Sequence, residues 1–186
     1  MYNCRDIIPT EKFHTLILLF SIFSICIFSS CEWNSKSVDN DYFTTSFDDL
    51  VFWSRNPMIS DEISRSGHFC TYVDAIHPSS QGFEMSMSHA KNMGYEKVEV
   101  SAWILRPEQN NYALLVSSIA RPDSELVKIK TKDVRHDCPR TSSWTKVEMK
   151  FDLPKHLPGE LKLRIYLWTP TGDKVFMDDV SVHFIR

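Results

Sequence analysis

Hydrophobic and polar residues alternate one by one along most of the chain from Phe47 onward. In 96–106, 144–153 and 160–169 every second residue is Val, Ile, Leu, Met, Phe or Ala, and the residues between are mostly charged, polar or aromatic. A period of two is typical of β-strands that bury one face. The pattern predicts nine strands, at Phe47–Trp53, His68–Ala75, Gly82–Ser88, Glu96–Arg106, Tyr112–Ala120, Glu125–Lys130, Trp144–Leu153, Glu160–Thr169 and Lys174–Ile185.

Turn-forming residues separate these strands, at 106–111, 121–123, 157–159 and 170–173. No segment shows a helical stripe longer than a turn or two. Short strands with regular turns indicate an all-β fold, either a sandwich or a barrel.

The N-terminal segment differs from the rest. Arg5 and Lys12 precede an apolar run from Leu16 to Ser30, which is short for a helix that must cross about 20 residues of hydrocarbon. A charged start, an apolar centre and small residues before a polar sequence predict an export signal. An ordinary secretory signal or an uncleaved anchor has a similar pattern.

The end of this run, Phe28-Ser29-Ser30-Cys31, resembles the lipobox of bacterial lipoproteins. The resemblance implies cleavage before Cys31, a lipid on that cysteine, and an extracytoplasmic protein anchored to a membrane, at a bacterial outer membrane or cell surface. The predicted organisation is a signal peptide at 1–30, a lipidated cysteine and linker at 31–46, and one domain at 47–186.

Charge and cysteine content bear on the kind of ligand and on the possible disulfides. The signal holds two basic and two acidic residues, so the remaining chain keeps the net charge of −3, and no basic cluster suggests nucleic acid. Cys70 and Cys138 are the two cysteines left in an oxidising compartment after Cys31 is lipidated. They form either a disulfide or two separate thiols, with Cys70 a small core residue.

Five segments in order carry a wider resemblance: Phe47–Trp53, Ser66–Cys70, Tyr95–Trp103, Trp144–Phe151 and Val175–Val182. Together they resemble the jelly-roll carbohydrate-binding modules of the galactose-binding-like superfold over residues 47–186. The resemblance implies a jelly-roll β-sandwich of two antiparallel sheets. It is less specific for function, because binding sites are grafted onto such folds independently.

The same resemblance implies a structural calcium ion where the first and last strands meet, held by Asp48, Asp178 and the backbone around Gly67. By parity Asp178 shares a face with Phe176, Val180, Val182 and Phe184, which places it on the inward side of the last strand. A buried carboxylate needs a partner or a cation, and calcium accepts such a mixed oxygen shell. The alternative is that Asp178 accepts hydrogen bonds from backbone amides while Asp48 is solvated.

Two outward stripes suggest a ligand face. Arg164, Tyr166 and Trp168 form one stripe, and Glu99 and Trp103 belong to the other. If their strands are neighbours in one sheet, the rings line a groove in which sugar C–H faces stack and charged groups bond hydroxyls. Otherwise Trp103 packs under the 131–143 loop and the other rings pack at a sheet edge.

Catalytic motifs are absent: there is no nucleophile elbow, phosphate loop or dinucleotide glycine pattern. The sequence therefore predicts a non-catalytic, membrane-anchored protein that binds carbohydrate. The alternative is a structural or adhesion lipoprotein that uses the same sandwich to hold partner proteins at the cell surface.

Overall fold

A computed structural model describes residues 41–49, 58–122, 125–154 and 160–186. Strands are the main secondary structure of these residues, and eight of the nine predicted strands appear, with ends that differ from the prediction by at most three residues. The strands are β1 Tyr42–Thr45, β2 Ile59–Ser60, β3 Cys70–Val73, β4 Phe83–Ser86, β5 Lys97–Leu105, β6 Leu114–Ala120, β7 Leu126–Asp133, β8 Thr145–Asp152, β9 Lys162–Trp168 and β10 Val175–Ile185. Two short helices, α1 Met87–Asn92 and α2 Val134–Asp137, were not predicted.

The strands form two antiparallel sheets. Sheet A has the order β2-β3-β10-β5-β8, with β1 also paired to β10, and sheet B has the order β4-β9-β6-β7. Strand β10 is long enough to pair with β3 through its first residues and with β1 through its later ones. The predicted jelly-roll sandwich of two antiparallel sheets is confirmed.

The main hydrophobic core lies between the sheets and is built by the predicted alternation. Sheet A contributes the apolar positions of β5, β8 and β10, and sheet B contributes those of β9 and β6. Leu163, Ile165 and Leu167 of β9 are at most 1% exposed, whereas the residues between them are partly or well exposed. The outward side chains of β9 are therefore not used in packing the main core and can contact a ligand.

A β-bulge corrects the predicted face of Asp178. Asp178 pairs with Trp103, but the next partners are Ser181 and Ser101, so β10 holds one extra residue there. Asp179 takes up the irregularity with φ of 44°. Val180 therefore faces the main core, whereas Phe176 belongs to a second hydrophobic cluster. The prediction from parity, which put Phe176, Asp178 and Val180 on one inward face, was wrong because of the extra residue.

The start of the domain also differs from prediction. The sequence predicts a linker at 31–46, but Tyr42–Thr45 within it forms β1 against β10. Phe47 follows with φ of 68°, in a turn where its N–H donates to Thr45 Oγ1 at 2.8 Å. The predicted strand Phe47–Trp53 thus begins as a turn, and its residues from 50 onward lie outside the described residues.

The two cysteines are not bonded to each other, so the predicted Cys70–Cys138 disulfide is corrected to its alternative of two separate thiols. Cys70 packs with Leu105 and Phe176 in the second cluster, whereas Cys138 belongs to the main core. Burial raises the pKa of Cys70 to about 12 and that of Cys138 to about 11. Both thiols therefore stay protonated and inert near neutral pH.

The predicted signal peptide, Cys31 and the preceding apolar run lie outside the described residues. Within the described ranges, neither helix has the length and apolar character needed to span a membrane.

Candidate functional site

The outward side of β9 carries a row of four residues, Lys162, Arg164, Tyr166 and Trp168, which we call the β9 row. They alternate with buried leucine and isoleucine because the strand has a period of two. Trp168 is 37% exposed, and Tyr166 is partly exposed. Two residues of strand separate these rings by about 7 Å, so both are presented on one surface.

Acidic charge beside the row comes from β4. Glu84 pairs in register with Arg164, and its carboxylate accepts from Lys162 Nζ at 2.5 Å and from Arg164 Nε at 3.0 Å. Partial burial acts to raise the pKa of Glu84, but the hydrogen bonds and charges of Lys162 and Arg164 outweigh burial and lower that pKa. The result is a fixed, ionised carboxylate whose two basic partners are held on the outward face.

A groove of about 220 Å³ lies where β4 meets β9. Glu84, Arg164 and Tyr166 line it together with Ser79, Ser80, Gly82, Phe83 and Ile165. A β-carbon on Gly82 would lie 2.3 Å from the Ile165 carbonyl oxygen, so glycine is needed for this close approach of the two chains. The groove thus joins an aromatic side, a charged side and hydroxyl groups.

Strands β6 and β7 continue the same face on the other side of the row. Val116 lies opposite Tyr166, and Ser118 lies opposite Arg164, and both residues are at most 1% exposed. Ile129, opposite Ser118 on β7, is 49% exposed. Along this face, the aromatic residues of β9 are therefore followed by buried residues of β6 and then by an exposed apolar residue on the edge strand β7.

The 74–79 loop borders the Trp168 end of the row. Ser79 forms an isolated bridge with Trp168, and the Thr169 N–H donates to the Pro78 carbonyl at 2.9 Å. Inside the loop, the Asp74 carboxylate accepts from the N–H groups of Ile76 and His77. These hydrogen bonds hold the loop beside the Trp168 ring.

The five predicted ligand residues do not form one site, because their strands belong to different sheets. Arg164, Tyr166 and Trp168 lie on the outside of sheet B, whereas Glu99 and Trp103 lie on the outside of sheet A. The prediction assumed that strands 96–106 and 160–169 are neighbours, and this was wrong. Glu99 pairs with Lys150 at 2.6 Å, and the Arg65 guanidinium lies 3.8 Å from the Trp103 ring centre.

Sequence reasoning missed Glu84 and the serines at 79–80 as members of the β9 face. Glu84 occupies an outward position of a strand that was predicted at 82–88, so the alternation could have predicted that Glu84 faces outward. The alternation could not predict that β4 pairs with β9, because this pairing joins residues about 80 positions apart.

The predicted calcium residues do gather around one loop. The Asp178 carboxylate, fully buried, accepts from the N–H groups of Arg65 at 2.7 Å, Ser66 at 3.2 Å and Asp179 at 2.7 Å. Burial raises the pKa of Asp178, although these amide hydrogen bonds act to lower it. Asp48 accepts from the His68 N–H at 2.9 Å, and this bond, with a smaller one from Ser46, lowers the pKa of Asp48.

Gly67 lies against Asp48, and its carbonyl accepts from the Ser64 hydroxyl at 3.2 Å. The loop therefore offers N–H donors to both carboxylates and has its own carbonyl engaged. Residues placed in this way do not fit the expected oxygen shell, and calcium binding stays a prediction. Among the described residues, no group of three His, Cys, Asp or Glu side chains is arranged to hold a metal ion.

Two glutamates on the outside of sheet A, Glu99 and Glu148, have lowered pKa values, which is the wrong direction for acid catalysis. Hydrogen bonds from Lys150 and Lys146 lower the pKa values of Glu99 and Glu148, respectively. A glycosidase needs one carboxylic acid with a raised pKa facing a second carboxylate. Neither of these two glutamates is suited to that acid role.

No protein-family model matches the chain. No curated protein matches it at a significant level.

The chain is similar to several solved structures, among them the CBM22-1 xylan-binding domain from Paenibacillus barcinonensis Xyn10C, at 16% identity and a TM-score of 0.48, over 77% of this chain and 94% of that one. Another is the C-terminal family 22 carbohydrate-binding module of Clostridium thermocellum Xyn10B, at 11% identity and a TM-score of 0.49, over 78% and 94%. A family 16 carbohydrate-binding module is similar at 10% identity and a TM-score of 0.46, over 74% and 94%.

Proposed function

We propose that this chain binds carbohydrate, without chemistry of its own, on the outward face of sheet B. The observation that carries the proposal is the β9 row, in which the partly exposed Tyr166 lines the groove of about 220 Å³ and Trp168, 37% exposed, lies two residues further along the strand. Aromatic rings offer an apolar body to the C–H faces of a sugar, and they cost little conformational entropy on binding.

Polar groups next to the rings supply orientation. Arg164 and Glu84 are locked together, so their remaining donors and acceptors are held in place before any ligand arrives. The hydroxyls of Ser79 and Ser80 lie at the groove, although the Ser80 hydroxyl already donates to the Gln81 carbonyl at 2.7 Å. A mostly apolar platform with a few fixed polar groups is the usual make-up of a small-ligand site.

We expect modest affinity, because the groove is shallow and small. Binding sites that bury most of a drug-sized ligand have volumes of about 300–1,000 Å³. The groove on sheet B falls below that range, so a polysaccharide would be held by a few of its rings at a time.

The proposal includes a lipid anchor on Cys31 and an extracytoplasmic location, supported by the apolar run and the small residues before that cysteine. Ten residues lie between Cys31 and Tyr42, and the eleven Cα–Cα steps across them set a reach of at most about 40 Å between the anchor and the sandwich. The domain would then bind glycans close to the membrane that holds it.

Lipidation is tested by mass spectrometry of the mature N-terminus after expression in a bacterium. We expect a chain that begins at a lipid-modified Cys31, and we expect Cys31→Ser to leave the membrane fraction. A single acyl chain binds membranes only marginally, so a stable anchor requires more than one. An intact Met1, or cleavage at another site, would show that the segment is not a lipoprotein signal.

The binding itself is tested by applying the full chain to an array of plant, fungal and bacterial glycans and confirming each hit by calorimetry. We expect hits among neutral polysaccharides and no preference for phosphorylated glycans. Arg164→Ala should weaken binding by about tenfold, or roughly 1.4 kcal/mol, because it removes a donor and leaves Glu84 held by Lys162 alone. Absence of any hit would contradict the proposal.

One observation favours a second candidate, a protein partner. Leu126, Val127 and Ile129 on the edge strand β7, which β6 separates from the β9 row, are 45–53% exposed. Exposed edge strands with apolar residues are sites where another chain can pair. An empty glycan array, together with a partner whose binding is lost in Ile129→Lys, would favour this candidate.

A further inference from the structure

A second depression runs along the outside of sheet A, on the face opposite the β9 row. Two adjoining hollows of about 360 and 430 Å³ share Tyr42, Ser101, Lys146 and Ser181 as lining residues. One extends toward Glu99 and Lys150, and the other extends toward Trp103. Each is larger than the groove on sheet B and lies within the usual range of ligand-site volumes.

Two serine hydroxyl groups lie at the centre of this depression, where the two hollows adjoin. Ser101 of β5 and Ser181 of β10 are partners in register, and their hydroxyl oxygens lie 2.7 Å apart. One hydroxyl donates to the other, so the pair still has one O–H to donate and several lone pairs to accept. Small residues on the two central strands also explain why the face is hollow there.

Aromatic residues stand at the sides of this serine pair. Tyr42, on the edge strand β1, is 50% exposed and makes an edge contact with the His183 ring at 5.8 Å between centres. Trp103 lines the far hollow, with the Arg65 guanidinium on its ring. The depression therefore offers apolar ring surface beside hydroxyl donors and acceptors.

The charges around the depression are paired. Lys146 binds Glu148 at 2.7 Å, Lys150 binds Glu99 at 2.6 Å, and Arg65 binds Asp179. A phosphate or an anionic glycan would have to break such ion pairs in order to bind. An apolar helix would bury the two serine hydroxyl groups without offering them hydrogen-bond partners. Charge balance with many fixed donors and acceptors fits an uncharged polyhydroxylated ligand.

We propose that the outside of sheet A is a second binding site for a neutral oligosaccharide, which makes the domain a two-sided glycan binder. Each side would hold a different chain or a different segment of one chain. Two modest sites on one domain raise the overall avidity for a polymer without any new contact.

The two sites have separate reporters, because Trp103 lines one and Trp168 lies at the other. The experiment titrates the ¹⁵N-labelled full chain with xylohexaose, cellohexaose, mannohexaose and maltohexaose and follows the two indole N–H signals, assigned with Trp103→Phe and Trp168→Phe. We expect at least one of these sugars to shift the Trp103 signal. Ser181→Lys, which fills the centre of the depression, should abolish that shift, and Tyr166→Ala should leave it intact.

Tyr42→Ala is the second variant, and it should also reduce the Trp103 shift while the rest of the spectrum shows an intact fold. A Trp168 shift without a Trp103 shift would overturn the second site and leave the proposed function standing. A Trp103 shift alone would support the second site and contradict the first. A Trp103 shift that persists in both Ser181→Lys and Tyr42→Ala, or no shift with any of the four sugars, would overturn the second site.

Discussion

Replacing Arg106 by Met should lower the free energy of unfolding by about 3 kcal/mol or more. Arg106 is 1% exposed, and its guanidinium donates twice to the Cys138 carbonyl, at 3.0 and 2.6 Å. It also donates to the carbonyls of Gln109 and Asn111. Met fills much of the same volume but has no donor, so these carbonyls lose their partner, and a buried unsatisfied group costs about 1–3 kcal/mol.

Urea denaturation followed by tryptophan fluorescence measures this effect. Arg121→Met is the matched control, because Arg121 is 53% exposed and its ion pair with Glu125 lies on the surface. Surface pairs contribute about 0–1 kcal/mol. If the two substitutions have the same small effect, Arg106 does not hold the 106–111 and 138–142 loops together.

Asp178→Ala should be the second most damaging substitution, with a loss of about 2–3 kcal/mol. The change leaves the N–H groups of Arg65, Ser66 and Asp179 without their acceptor beneath the loop. Asp179 would still hold Arg65 and Ser66 through their side chains, so the loop should loosen while the rest of the sheet stays folded. Asp152→Ala, at a carboxylate that is 74% exposed, is the matched control.

The same samples test the predicted calcium ion. If amides alone satisfy Asp178, a chelator should not change the melting temperature of the wild-type chain. A ligand that binds only the folded state stabilises it by mass action, so a fall in melting temperature on chelation, absent in Asp178→Ala, would establish a metal at this site.

Local alternation predicted most of the strands, because burial of one face leaves a period of two in the sequence. The inward rows of β5, β8 and β9 are as predicted, since each is a straight strand with a regular pattern. Parity failed at Asp178, where one extra residue in β10 reverses the faces on either side of it. The hydrophobic pattern hides this bulge because Phe176 is apolar and shares the even parity of Val180, although the residues in the main core change from Val175 and Met177 to Val180.

The site was only half predictable for a different reason. The residues of the β9 row could be read from one strand, but their neighbours depend on pairings between distant segments, such as β4 with β9. Trp103 and Tyr166 look alike in sequence, as outward aromatic residues, yet they lie on opposite sides of the sandwich. Sheet order is a property of the whole chain, so it cannot be derived from the periodicity of two strands.

The central claim is that exposed rings on β9 bind sugar, and calorimetry on three single variants tests it most directly. With the glycan that the wild-type chain binds best, Tyr166→Ala and Trp168→Ala should each weaken binding by about tenfold, roughly 1.4 kcal/mol, at an unchanged melting temperature. Phe69→Ala removes an aromatic residue that is 39% exposed and lies in neither groove, so its affinity should equal that of the wild type. Wild-type affinity in both β9 variants, or equal losses in all three, would contradict the claim.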